Sequence, residues 1–275
     1  MVPAYLLASA TVAVLLIASP ASAEDCAVTA SPAAISANAA SLDSLAWNPF
    51  GRPEIGWSVY YPRIGLEIGT TCAAITPGFA ASLATWQGLH HLPATGIFDP
   101  PTFAAMKTGW QQERPFVRLN ARDNCPPPPA ADMLSVASPA EAYRGKLIEL
   151  RSHALDAYRA LVAAARKVPS IASEARAFKI FSGFRDPDAD AARCVAEGNC
   201  NGVVRATCSA HRTGLALDMW VGQAPGFGPD SSADINRLAM VHGATYRWLL
   251  VNAGRFGFVN YAFEPWHWEW TGEPF

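Results

Sequence analysis

The chain has 275 residues, of which 51% are hydrophobic and 16% charged, and its formal net charge is −2 at pH 7. This composition indicates a globular chain long enough for a sizeable core and one or two domains, and it excludes intrinsic disorder. The slight negative charge, with no cluster of Lys and Arg, argues against nucleic acid as a partner.

Residues 1–23 are typical of a secretory signal peptide. An apolar run from about Ala4 to Ala18 precedes Ala21-Ser-Ala23, a small-residue cleavage pattern. A membrane anchor is the alternative, but the run is shorter than the roughly 20 residues that span a bilayer. We therefore expect a secreted or periplasmic protein with no membrane span after signal cleavage.

The six cysteines fit an oxidising compartment, where they can pair as disulfides. They contain no Cys-x-x-Cys metal pattern and allow about 15 pairings. Cys194 and Cys200 bracket a short Glu-Gly-Asn turn, so a local bridge between them is expected. The pairing of the other four is open. Those four are Cys26, Cys72, Cys125 and Cys208.

Residues 24–120 predict a small, mostly helical module. The Ala/Ser-rich stretch 28–41 has little to pack and is expected to be a flexible lead-in. Thr76-Pro77 and Asp99-Pro100 each place a capping residue before a proline, which predicts two helix starts. Aromatic and apolar residues recur at helical spacing after each start.

This helix–loop–helix resembles the small three-helix peptidoglycan-binding module of cell-wall hydrolases. The resemblance lies in Trp86-Gln87 followed by Leu92-x-x-Thr-Gly96-Ile-Phe-Asp99-x-x-Thr102. It implies that the module holds the protein near the cell wall. An ordinary helical subdomain that packs its aromatic residues inwards is the alternative.

A proline-rich linker is predicted at residues 121–137, and a second domain at 138–275. Cys125-Pro-Pro-Pro-Pro129 is a stiff spacer. Ser138-Pro139-Ala-Glu141 has the form of a capping box and predicts a long helix that ends near Val168. Alternation at 178–182 predicts a strand, two helical segments follow at about 232–241 and 244–253, and 255–260 predicts another strand.

Two stretches carry residues that zinc accepts as ligands. His211 and Asp218 are seven residues apart, which on a helix would separate them by about 10 Å along the axis, too far for one zinc ion. A turn at Gly214 entering a strand can instead bring His211 back towards Asp218. A histidine with no metal role is the alternative for His211 alone.

The second stretch, Glu264-Pro-Trp-His-Trp-Glu-Trp270, predicts a final strand. Side chains alternate along a strand, so the tryptophans share one face while His267 and Glu269 share the other. Pro265 is expected to bend the chain so that Glu264 approaches the metal as a general base. Glu269 is expected to be a surface group or to support a ligand without binding the metal.

Arg185 is the candidate for stabilising a tetrahedral oxyanion, because it follows a strand and a glycine that can project it into a cleft. A salt bridge with Asp186 or Asp188 is the alternative role for this guanidinium.

Together these motifs resemble the VanY-type zinc D-alanyl-D-alanine carboxypeptidases. The matching residues, in order, are Phe-Ser182-Gly-Phe-Arg185, Ser209-x-His211-x-x-Gly214-x-Ala216-x-Asp218 and Glu264-Pro-Trp-His267. The resemblance implies Zn²⁺ on His211, Asp218 and His267, with Glu264 as general base and Arg185 at the oxyanion. It further implies that Ser209 seats the terminal carboxylate of a peptidoglycan stem peptide.

The fold that the resemblance implies is α+β, a small domain with helices packed on an antiparallel sheet. The expected function is removal of terminal D-alanine from peptidoglycan stem peptides. One alternative is an endopeptidase that uses the same zinc. Another is a non-catalytic wall-binding protein with a structural zinc, although a structural site is closed by four protein ligands and the motifs offer three.

Overall fold

The computed structural model describes residues 26–120, 125–198 and 208–272, and this part of the chain has an α+β fold. The predicted signal peptide and Cys200 lie outside the described residues. The helices are α1 Pro32–Ser41, α2 Tyr61–Glu67, α3 Pro77–Leu89, α4 Pro100–Glu113, α5 Pro115–Leu119, α6 Ser152–Ala165, α7 Pro169–Ala172, α8 Pro187–Glu197, α9 Asp234–His242 and α10 Ala244–Asn252. The strands are β1 Ala46–Trp47, β2 Glu54–Ile55, β3 Leu134–Val136, β4 Glu149–Arg151, β5 Ile180–Ser182, β6 Ala216–Met219, β7 Phe258–Asn260 and β8 His267–Trp270.

The two helix starts predicted from capping residues are confirmed. Thr76 Oγ1 accepts a hydrogen bond from the Phe79 N–H, and Asp99 Oδ1 accepts one from the Thr102 N–H. These bonds satisfy amides that the first helical turn leaves without a partner. The caps therefore fix where α3 and α4 begin.

The expected flexible lead-in at 28–41 is wrong, because most of it forms α1. Asn38 is fully buried and anchors this helix: its Nδ2 donates to the Gly96 carbonyl at 2.9 Å, and its Oδ1 accepts from the Phe98 N–H at 2.7 Å. Gly96 has a φ of +68°, and a Cβ there would lie 2.6 Å from the Ala80 carbonyl oxygen. The loop thus requires glycine where it meets α1 and α3.

The predicted long helix from Ser138 is wrong in its first half, since α6 begins only at Ser152. Glu141 does reach back to Ser138, accepting from its N–H at 2.7 Å, but the two residues close a turn instead of a helix. The following segment forms β4, which pairs antiparallel with β3, with Leu150 opposite Ser135. Burial of Ile148 and Leu150 in the core favours this strand over continued helix.

A four-stranded antiparallel sheet in the order β5-β6-β8-β7 carries the second half of the fold. In its centre β6 pairs with β8 so that Asp218 lies opposite His267 and Leu217 opposite Trp268. Directly opposed residues have Cβ atoms about 5 Å apart. This register places two of the candidate ligands side by side.

The described residues form two hydrophobic clusters. One lies around β5–β8 with α6, α9 and α10 packed against it, and the other lies among α2, α3, α4 and the aromatic residues before them. Buried polar contacts join the two: Arg237 donates to Glu54 at 2.8 Å, and Arg63 donates to the Asn260 carbonyl at 3.1 Å. The domain boundaries themselves stay a prediction.

Two disulfides, Cys26–Cys72 and Cys125–Cys208, cross-link the described chain. The first ties the segment before α1 to the loop before α3. The second ties the proline-rich segment to the residue before Ser209. In the described part of the chain no helix is long and apolar enough to cross a membrane.

Candidate metal centre

Three sequence-predicted ligands meet at the centre of the sheet. His211 lies in the 3-10 helix Ala210–Thr213, which Ser209 caps by accepting the His211 N–H at 3.3 Å. Gly214 follows with a φ of +69° and turns the chain into β6, which carries Asp218. The turn predicted at Gly214 thus brings His211 back to Asp218.

The ligand atoms of the three side chains lie within 4.8 Å of one another. Asp218 Oδ2 lies 3.1 Å from His211 Nε2, and its Oδ1 lies 2.9 Å from His267 Nδ1. Ligands around a tetrahedral ion with bonds of about 2 Å are about 3.3 Å apart. All three residues are buried, so this His-Asp-His group could hold one metal ion.

The remaining ring nitrogens of both histidines have acceptors. His211 Nδ1–H donates to the Gly183 carbonyl at 2.8 Å, and His267 Nε2–H donates to Glu269 Oε1 at 3.3 Å. Such bonds fix the tautomer and orientation of a metal-binding imidazole, leaving the opposite nitrogen free for the metal. His211 Nε2 and His267 Nδ1 are therefore the nitrogens available to a metal ion, and both lie beside Asp218.

The site favours a charged Asp218 and a neutral His211. Burial opposes ionisation of Asp218, but the charge interaction and hydrogen bonds with the two histidines lower its pKa. Burial lowers the pKa of His211. Burial would also lower the pKa of His267, but hydrogen bonds to Asp218 and Glu269 raise this pKa to about 9. A metal ion must displace this proton from His267, so metal binding strengthens as pH rises.

Glu264 lies at the edge of the His-Asp-His group. The turn before β8 brings its Oε2 to 3.9 Å from His267 Nδ1, with the Glu264 N–H donating to the Tyr261 carbonyl. Burial raises the pKa of the Glu264 carboxyl. About a third of its side chain stays exposed, unlike the His-Asp-His group. The arrangement offers a carboxylate next to the group but outside it.

Arg185 and Ser209 lie beside each other on the other flank, where Arg185 Nη2 donates to Ser209 Oγ at 3.1 Å. The positive charge of Arg185 favours a lower pKa for both His211 and Glu264. Asp190 Oδ2 lies 3.7 Å from the Arg185 Nε. Asp186 instead caps α8 by accepting from two backbone amides. The guanidinium thus lies next to the residue that caps the His211 helix, with the Asp190 carboxylate near it.

The main feature that the sequence did not reveal is the environment of Glu269. Only 1% of this side chain is exposed, and it forms a salt bridge at 2.6 Å with Arg114, which is 155 residues earlier in the chain. The spacing of His267 and Glu269 predicts that they share a strand face, but it does not predict the contact with Arg114. Nothing in the local sequence around Arg114 marks it as a partner of this site.

No protein-family model matches the chain, and no curated protein matches it.

Proposed function

We propose that the chain is a zinc metallopeptidase that hydrolyses peptidoglycan stem peptides, most specifically a D-alanyl-D-alanine carboxypeptidase. The observation that carries this proposal is the buried His-Asp-His group, with Glu264 3.9 Å from His267 and Arg185 bonded to Ser209 beside His211. The three sequence motifs that resemble VanY-type enzymes supply the substrate class.

We propose zinc as the metal, on the basis of the resemblance of the motifs to zinc carboxypeptidases. Two imidazole nitrogens and one carboxylate oxygen, with small ligand-to-ligand distances, suit a tetrahedral Zn²⁺ site. Structural zinc sites use four protein ligands, whereas catalytic sites use three and keep one position for water or substrate. The described residues bring three ligand side chains together here, which supports a catalytic site.

Zinc bound there would polarise the scissile carbonyl and increase the acidity of a water molecule. Glu264, whose Oε2 lies 3.9 Å from His267 Nδ1, would take the proton of the attacking water and return it to the leaving amine. Burial raises the pKa of the Glu264 carboxyl, and a raised pKa suits a group that both accepts and donates a proton.

Arg185 and Ser209 have the chemistry to bind the substrate. The guanidinium can stabilise the oxyanion that develops at the scissile carbonyl. The Ser209 hydroxyl, which already accepts from Arg185 and from the His211 amide, can hydrogen-bond the terminal carboxylate of the peptide. A substrate with a free carboxyl end therefore fits this flank of the site.

The two disulfides are compatible with an extracytoplasmic protein, because such bonds persist in oxidising compartments. We propose secretion or export to the periplasm, with residues 24–120 acting near the cell wall.

The test is incubation of the purified mature protein with a stem pentapeptide that ends in D-Ala-D-Ala. We expect release of free D-alanine that stops when a chelator removes zinc and returns when zinc is restored. Internal cleavage fragments would indicate an endopeptidase instead. No metal-dependent cleavage of the pentapeptide or of whole peptidoglycan would contradict an enzymatic role and favour a wall-binding protein.

A further inference from the structure

Arg114 connects the N-terminal helices to the sheet that carries the metal centre. It lies between α4 and α5, and only 9% of its side chain is exposed. Its Nε and Nη2 lie 2.7 and 2.6 Å from the same oxygen of Glu269. The other Glu269 oxygen accepts the Phe116 N–H, at the start of α5, at 2.9 Å. Both anchors of this carboxylate thus come from the N-terminal part of the chain.

Glu269 in turn hydrogen-bonds a candidate metal ligand, His267. Its Oε1, held by Arg114, also accepts the Nε2–H of His267 at 3.3 Å. Arg114 contacts the site by a second route, since its guanidinium lies 4.0 Å from the centroid of the Tyr261 ring. That ring packs edge-on against the His267 ring, with centroids 6.1 Å apart. The imidazole is therefore held on two sides by groups that touch Arg114.

Removing the arginine would leave the Glu269 carboxylate buried with its main charged partner missing. A buried charge without compensation is strongly unfavourable, so the carboxylate would rotate towards water. This movement would weaken the acceptor that orients His267. Loss of such an outer partner of a metal-binding histidine typically weakens metal affinity about 10- to 100-fold.

We propose that Arg114 is a positioning residue of the metal centre, acting through Glu269 to orient His267. The N-terminal helices then have a second role besides any contact with the cell wall: they complete the support of a metal ligand. This inference depends on the His-Asp-His group binding a metal, and not on which peptide bond the protein cleaves.

The test is the zinc dissociation constant of the full-length protein, measured by competition with a chelating dye. We expect Arg114→Met to weaken zinc binding about 10- to 100-fold. Arg237→Met is the matched control, because Arg237 is also a buried arginine that pairs with a buried carboxylate between the two hydrophobic clusters. It donates to Glu54 at 2.8 Å and to the Tyr60 hydroxyl at 2.6 Å. We expect Arg237→Met to lower the melting temperature but to change zinc affinity less than about threefold.

Two further variants keep the test decisive if Arg114→Met does not fold. Arg114→Lys retains one charged donor, so its zinc affinity should lie between those of wild type and Arg114→Met. Glu269→Gln retains an acceptor for His267 without the charge, and the Co²⁺-substituted protein should show an altered visible absorption spectrum. A spectrum identical to that of wild type, with unchanged zinc affinity, would refute the positioning role.

The outcomes separate this inference from the proposed reaction. If wild type binds zinc and all Arg114 and Glu269 variants bind it equally well, the positioning role is wrong whatever the protein cleaves. If wild type binds zinc but releases no D-alanine, only the carboxypeptidase proposal fails. If wild type binds no zinc, the metal centre and this inference are both overturned.

Discussion

Glu264 is distinguished from the neighbouring carboxylates by its surroundings. Asp218 contacts both histidines, and Glu269 is held by Arg114 and the Phe116 amide, which together with His267 lower its pKa to about 2 although burial opposes this. Glu264 lies farther from its cation, with Oε2 3.9 Å from His267 Nδ1, and burial raises its pKa. Two of the three carboxylates thus have lowered pKa values and Glu264 has a raised one, which is the property that the proposed general base needs.

Replacement of Glu264 by Gln should therefore remove turnover without removing metal. The substitution keeps the size of the side chain but cannot accept the proton, and general-base catalysis contributes about 10²- to 10⁴-fold to rate. We expect kcat for D-alanine release to fall by about that factor while zinc content and melting temperature stay close to wild type.

The control for Glu264→Gln is Glu113→Gln, which removes an exposed carboxylate from α4. Its rate should match wild type. A Glu264→Gln protein with near wild-type kcat would exclude Glu264 as the base.

The residues of the candidate centre could be selected from the sequence because each one stands in or next to a predicted turn or strand. His211 precedes the turn at Gly214, and Asp218 and His267 lie in predicted strands. His267 and Glu269 were assigned to one strand face from alternation alone, and their side chains are 3.3 Å apart. The partnership of Glu269 with Arg114 could not be predicted. It depends on how two distant segments pack, and neither segment carries a local pattern that depends on the other.

At the level of secondary structure, predictions succeeded where a local hydrogen bond decides the conformation. The caps at Thr76 and Asp99 need only residues within one turn. Predictions failed where tertiary contacts decide the conformation. The capping-box sequence at Ser138 forms a turn because β4 pairs with β3. The segment predicted to be flexible forms α1 because Asn38 bonds to a loop about 60 residues later.

Asn38→Ala tests whether α1 is an integral part of the fold. The substitution leaves the Gly96 carbonyl and the Phe98 amide buried without their partner, and an unsatisfied buried group costs about 1–3 kcal/mol. We expect the free energy of unfolding to fall by about 2–4 kcal/mol, measured by urea denaturation.

Asn252→Ala is the comparison for this variant. Asn252 donates to the carbonyl of Trp248, one turn earlier in α10, accepts from the exposed Arg255 guanidinium, and is itself partly exposed. Loss of the Asn252 side chain should lower the free energy of unfolding by less than about 1 kcal/mol. Equal, small effects of the two substitutions would contradict the packing of α1 against the loop.

Over the whole molecule, two hydrophobic clusters are joined by buried arginines and braced by disulfides. Arg63, Arg114 and Arg237 each contact a residue of the other part of the chain. The sequence indicated the two parts by the change in composition at the proline run. It could not indicate this polar interface, because charges that pair across it are separated by more than 150 residues.

The two disulfides should differ in what their loss affects. Each closes a long loop, of 46 and 83 residues, so removing either should lower the free energy of unfolding by about 2–4 kcal/mol. Cys26–Cys72 packs among the N-terminal helices, whereas Cys208 directly precedes Ser209. The double variant Cys26→Ser/Cys72→Ser should keep the wild-type KM for the pentapeptide, and Cys125→Ser/Cys208→Ser should raise it.

Urea denaturation and steady-state kinetics of the two double variants check this difference. A wild-type KM in both would show that the second disulfide does not hold the substrate-binding flank.

The central claim is that His211, Asp218 and His267 form one metal-binding centre, and zinc stoichiometry tests it most directly. The mature wild-type protein, loaded with zinc and dialysed, should retain one zinc per chain by elemental analysis. His211→Ala, which removes one of three ligands, should retain far less at the same protein concentration while staying folded. Absence of zinc from wild type, or equal zinc in the variant, would contradict the assignment of this centre.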